Sequence, residues 1–212
     1  MRTYQELFRT PEFTPLFLTS AGQVAAQTVS GLALGTLVFT TTGSPLLSAL
    51  AMFGPSLAQV IGATMLLSAA DRLPPRATLA ALSLLFALGM AAAALPGLPV
   101  PAVLGIVLGL GVFSALGGGV RLGLLNEILT KEGYLLGRST INMSAGLMQI
   151  GGFATGGLLV AVLSPRGALL TGAALYLVAA AVARLGLSRR PTATHRSTAG
   201  SPSPRRTRTP GS

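Results

Sequence analysis

Folded chains that do acid, base or nucleophilic chemistry draw on histidine, cysteine and paired carboxylates, and this sequence is poor in all three. It has no cysteine, and its one histidine, His195, stands in a stretch of Pro, Ser, Thr and Arg. The five acids, Glu6, Glu12, Asp71, Glu127 and Glu132, all fall outside the long apolar runs. A serine inside such a run therefore has no histidine partner, and no His, Cys and acid cluster exists to hold a metal. No glycine-rich stretch has the Walker pattern that cradles phosphate. The sequence predicts neither an enzyme nor a metal or cofactor site.

Amide and hydroxyl groups remain. Gln23, Gln27 and Ser30 recur at i, i+4 and i+7, which places them on one face of a helix. Asn142, Gly146 and Gln149 repeat that spacing, and Gln59 stands alone. Such faces either line a central substrate cavity or tie helices together by hydrogen bonds of ~0.6–2 kcal/mol each. A second concentration of polar groups is "SAADRLPPRATLA", residues 68–80, where Asp71, Arg72, two prolines and Arg76 interrupt two uncharged runs.

The elements that must position these groups follow from composition. Only 9% of the 212 residues are charged and 50% are hydrophobic, against about a quarter charged in soluble chains. Crossing a bilayer takes roughly 20 apolar residues as helix, and six stretches qualify: 14–39, 46–70, 77–96, 100–120, 139–163 and 167–187. The first is too long for a cleavable signal peptide, and comparable runs follow it. "TTTGSP", "PGLPVP" and "SPRG" supply turns between them. The loop 121–138 is longer and polar, with room for a short surface helix at "LLNEILTKEG". "GGG" at 117–119 is expected to loosen the end of the fourth run. Gly31 with Gly35, and Gly152 with Gly156, form G-x-x-x-G pairs that let helices approach closely.

Charge placement gives orientation. Fourteen of the fifteen basic residues flank one side of the six runs, leaving Arg166 on the other. Short basic loops stay cytoplasmic, so both termini are expected in the cytoplasm, with Arg121 and Arg184 snorkelling from span ends. The net charge of +10 is thereby explained by topology. Without Trp, and with three scattered tyrosines, the chain lacks the aromatic interleaving of a nucleic-acid reader.

On these residues the sequence resembles the major facilitator superfamily of secondary transporters. The family's loop between helices two and three carries a pattern close to G-x-L-A-D-R-x-G-R-R-x-x-L. "LSAADRLPPRATL" keeps Ala70, Asp71, Arg72, Arg76 and Leu79, and departs at Leu67, Pro74 and Pro75. "TTGSPLLSALAMFGPSLAQVIGA" is similar to the family's first turn and second helix. "VRLGLLNEILTKEGYLLGRSTINM" resembles the four-to-five connection of its drug- and siderophore-exporter branches. "GFATGG", 152–157, is similar to the antiporter motif G-P-x-x-G-G, with Phe153 where proline stands. The resemblance implies an all-α integral membrane bundle of six helices, half of a twelve-helix fold, that exports small molecules across the cell membrane. It also implies that Asp71 pairs with Arg72, Arg76 or Arg121 as a conformational latch, against the plainer reading that Asp71 only ends a helix. Helix one, with Gln23 and Gln27, would stand beside the cavity.

Three segments result: a cytoplasmic stretch 1–13, a bundle 14–188 and a disordered basic tail 189–212, whose Pro, Ser, Thr and Arg abandon the apolar pattern. Six spans where the family has twelve suggest, in order, a truncated or frameshifted product, a half-transporter pairing with a second bundle or another copy, or a membrane scaffold or regulatory subunit that transports nothing. The expected partners are the lipid bilayer, an unidentified small molecule and that second bundle; nucleic acid is not among them.

Overall fold

The computed structural model describes residues 13–70, 73–129 and 131–186, and these are helical apart from short turns, with no strand among them. Five helices follow in chain order: α1 (Phe13–Thr42), α2 (Pro45–Ala70), α3 (Pro75–Ala93), α4 (Val100–Ile128) and α5 (Lys131–Gly186). All five are long and apolar enough to cross a membrane. At 56 residues α5 is not one regular helix. Ser164 has φ 80° and ψ 161°, and two helices meet there at a kink. Pro165 explains the break, because it removes an N–H and drives the residue before it out of the helical region. A non-glycine residue at such a φ carries about 1–3 kcal/mol of strain. Ser164 is exposed, so Ser164→Gly should raise thermal stability in detergent by ~1 kcal/mol. An unchanged or lowered melting temperature would show that Ser164 is not strained.

The turns follow glycine and proline chemistry. Gly43 (φ 65°) closes α1, and Gly97 (φ 83°) turns the chain between α3 and α4. Pro74 and Pro99 cap α3 and α4 at their starts. Two expectations fail at the next connection. Residues 117–119 remain helical, and α4 runs on through Arg121 to Ile128, so there is neither a loosened end nor a separate surface helix. No Pro follows Arg121 before Ile128, and the single Gly123 costs only about 1 kcal/mol inside a helix, so the break comes at Leu129, with φ −110° and ψ 146°.

Packing follows the small residues. Helix α1 lies mainly against α5 and also touches α2; α2 pairs with α4, and α3 packs on α5 and α4. The tightest approach joins α2 and α4. A methyl group on Gly111 would lie 2.5 Å from the Pro55 carbonyl oxygen, and one on Gly62 would collide with the Val112 carbonyl. Between α1 and α5 the neighbours are Gly152 on Thr28 at 2.9 Å and Gly156 on Val29 at 3.3 Å, measured from the same imagined methyl. Gly35 sits 3.5 Å from Ser48 Oγ by that measure, and the Ser48 hydroxyl donates to the Gly35 carbonyl at 2.6 Å. Gly31 has only the Met52 carbonyl oxygen, at 4.0 Å. Lipid offers no hydrophobic gain for helix association, so close contact of this kind must supply it.

Two buried clusters fill the interior. Leu34, Val38, Val107, Leu169 and Tyr176 belong to one, with Phe86 and Tyr176 stacked at 5.3 Å between centroids. Phe13, Leu16, Leu79, Leu125 and Ile141 belong to the other, at the end where the described chain begins. The outer surface carries Leu46, Leu57, Val60, Met65, Met143, Ile150 and Val162, all exposed, as a lipid-facing surface requires. Hydroxyls within the helices mostly bond their own backbone, as Thr28 does to the Val24 carbonyl at 2.9 Å, which satisfies them without water.

Candidate functional site

Three helices converge on one polar chain beside the Phe13–Leu79 cluster. Arg121 on α4 donates from Nη2 to Gln23 Oε1 on α1 at 2.6 Å. The same amide donates from Nε2 to Ser83 Oγ on α3 at 2.7 Å. Ser83, fully buried, donates in turn to the Leu79 carbonyl at 2.8 Å. The glutamine amide is thus fixed in orientation: its oxygen takes the cation and its nitrogen the hydroxyl. Arg121 therefore does not snorkel. It turns into the bundle, because Gln23 offers it an acceptor there and α4 continues past it instead of ending. The network is incomplete, since Arg121 Nε is buried with no hydrogen-bond partner.

A cavity of about 210 Å³ opens on the other side of Arg121. Gly118, Arg121, Leu122 and Leu125 of α4 line it, with Arg138, Ile141 and Asn142 of α5.

The face predicted from Gln23, Gln27 and Ser30 divides into three environments. Gln23 enters the network above, while Gln27 is exposed. Ser30 is buried against Gly172, its hydroxyl without a hydrogen-bond partner. Asn142 and Gln149 are both exposed on α5. The half-buried Arg76 lies at the start of α3. Asp71 and Arg72 lie outside the described residues, as do His195 and the rest of the segment 187–212. Among the described residues no three His, Cys, Asp or Glu side chains gather as a metal site.

Two features of the site carry no signal in the sequence. Ser83 is a lone serine in an alanine- and leucine-rich run, which says nothing until its neighbours are known. Gly62 and Gly111, which make the closest helix contact, belong to neither G-x-x-x-G pair named from the sequence.

No curated protein and no solved structure matches the chain. A family model does: that of the Major Facilitator Superfamily, over residues 16–210. Apolar helices of membrane-crossing length, packed through glycines around a polar chain of side chains, accord with that match. The chain belongs to the Major Facilitator Superfamily and is a multi-pass membrane protein of a secondary-transporter family.

Proposed function

We propose that the protein forms a six-crossing bundle of a small-molecule exporter and that it works against a second bundle, a further copy of itself or another chain. The observation that carries this reading is the set of exposed amides. Gln27, Asn142 and Gln149 stand exposed on helices that are otherwise apolar, and amides left against hydrocarbon are costly. A partner bundle or a water-filled substrate path would relieve that cost. The six crossings are supported by the kink at Ser164, because 56 helical residues would reach ~84 Å where the hydrocarbon core is ~30 Å thick. Orientation with Arg166 outside is supported by the distribution of basic residues. Asp71, with Arg72, Arg76 or Arg121 as its basic partner, is proposed as the latch that favours one of two alternating states, supported by the match of Asp71, Arg72 and Arg76 to the family pattern.

Single-cysteine variants of the natively cysteine-free chain test the arrangement in one experiment. Cysteines replacing Thr42 and Gly97 should react with an impermeant reagent outside intact cells, and one replacing Pro74 should not. Cysteines at position 27 of two copies should crosslink in native membranes if the protein pairs with itself. Reversed labelling would overturn the orientation. A stable, monodisperse monomer without the crosslink would leave the self-paired form unsupported and favour a scaffold that transports nothing.

A further inference from the structure

The cavity between α4 and α5 joins Asn142, one of the amides behind the transport reading, to two guanidinium groups that the reading does not use. Two guanidinium groups, Arg121 and Arg138, line it together with the Asn142 amide. Its other walls are Leu122, Leu125 and Ile141. Arg121 keeps a buried Nε–H that donates to nothing among the described residues. Like charges sharing one small cavity repel each other, and desolvation at Arg121 sharpens the cost. An anion relieves both, because guanidinium groups bind phosphate and carboxylate oxygens through short, charge-assisted hydrogen bonds. The leucine and isoleucine walls favour a hydrocarbon body attached to that anion.

We infer that this cavity binds an amphiphilic anion, with its phosphate or carboxylate held by Arg121, Arg138 and Asn142 and its apolar portion against Leu122, Leu125 and Ile141. An acidic lipid headgroup and a soluble amphiphilic anion share this chemistry. The site does not depend on efflux, so its failure and the failure of the transport reading are separate results.

Gly118 provides a variant that fills the cavity without disturbing the fold. A methyl group there would meet nothing within 4 Å, and replacing glycine inside a helix favours the helix. The purified full chain in detergent is titrated with dioleoyl phosphatidylglycerol and with dioleoyl phosphatidylcholine, bound lipid being counted by native mass spectrometry. The expected result is a preference for phosphatidylglycerol that Arg138→Gln and Gly118→Leu each weaken at least about tenfold, as loss of a charge-assisted hydrogen bond would. Arg166→Gln, which removes an exposed arginine away from the cavity, should leave the preference intact. Hexyl phosphate added in competition separates the sources. Displacement of the lipid identifies a site open to soluble anions, and a lack of displacement identifies a lipid headgroup site. No preference for the acidic lipid would overturn the inference. So would a preference that the two cavity variants leave unchanged, or one that Arg166→Gln weakens equally.

Discussion

Gly62→Val should abolish most of the folded, monodisperse protein, while Gly109→Ala, on a helix in the same pair, should leave it unchanged. The contrast comes from what each new side chain would meet. At Gly62 the obstacle is the Val112 carbonyl, a backbone group fixed by its own helix; at Gly109 nothing lies within 4 Å. Overpacking a well-filled interior costs ~1–3 kcal/mol when flexible side chains can yield. A backbone obstacle cannot yield without moving α4 away from α2, so the cost at Gly62 should reach or exceed the top of that range. Gly111→Val should behave like Gly62→Val, because the Pro55 carbonyl stands opposite at 2.5 Å. Size-exclusion profiles and melting temperatures in detergent read the effect. Equal behaviour of the Gly62 and Gly109 variants would show that α2 and α4 are not packed as described.

Removing the acceptor of a part-buried cation should produce the second large effect. In Gln23→Leu, Arg121 Nη2 loses its partner while Nε is already unsatisfied. Breaking a hydrogen bond to a charged group costs ~1.5–3 kcal/mol, and leaving the part-buried charge without that acceptor puts the effect at the top of the range. Arg121→Leu also breaks the bond but removes the part-buried charge, so it should destabilise less than Gln23→Leu. The double variant should then be no worse than Gln23→Leu alone. Ser83→Ala removes two neutral hydrogen bonds, one from Gln23 and one to the Leu79 carbonyl, and should cost ~1–3 kcal/mol at ~0.5–1.5 kcal/mol each. A double-mutant cycle on melting temperatures measures the coupling. Additive effects of the two single variants would mean that Gln23 and Arg121 do not interact.

Both predictions lie where the sequence was hardest to read. The helices themselves were legible, because bilayer thickness fixes the length of an apolar run and Gly-Pro punctuation marks its ends. Gln23 also stood out as an amide within such a run. Its partners did not, since Ser83 and Arg121 are 60 and 98 residues away, and one helix's periodicity says nothing about which helix it will face. Charge ordinarily marks a span end, and Arg121 departs from that rule. Arg121 turns inward because the helix continues past it and Gln23 offers an acceptor inside the bundle. Gly62 failed to announce itself for a related reason: the motif search pairs glycines on one helix, whereas Gly62 works against the partner's backbone. Asn142 and Arg138 were both visible, yet their meeting with Arg121 at one cavity depends on how α5 lies against α4.

Export of small molecules is the central claim, and efflux from loaded cells measures it most directly. Cells are loaded with ethidium in one set and carboxyfluorescein in another, and dye loss is followed with the native protein, with Asp71→Asn and with an empty vector, membrane amounts being equal. The native protein should speed the loss of at least one dye over the vector. Asp71→Asn should slow that loss several-fold at unchanged protein level, as expected of a residue that balances two conformations. Loss of both dyes at the vector's rate, from cells holding folded native protein, would contradict the account.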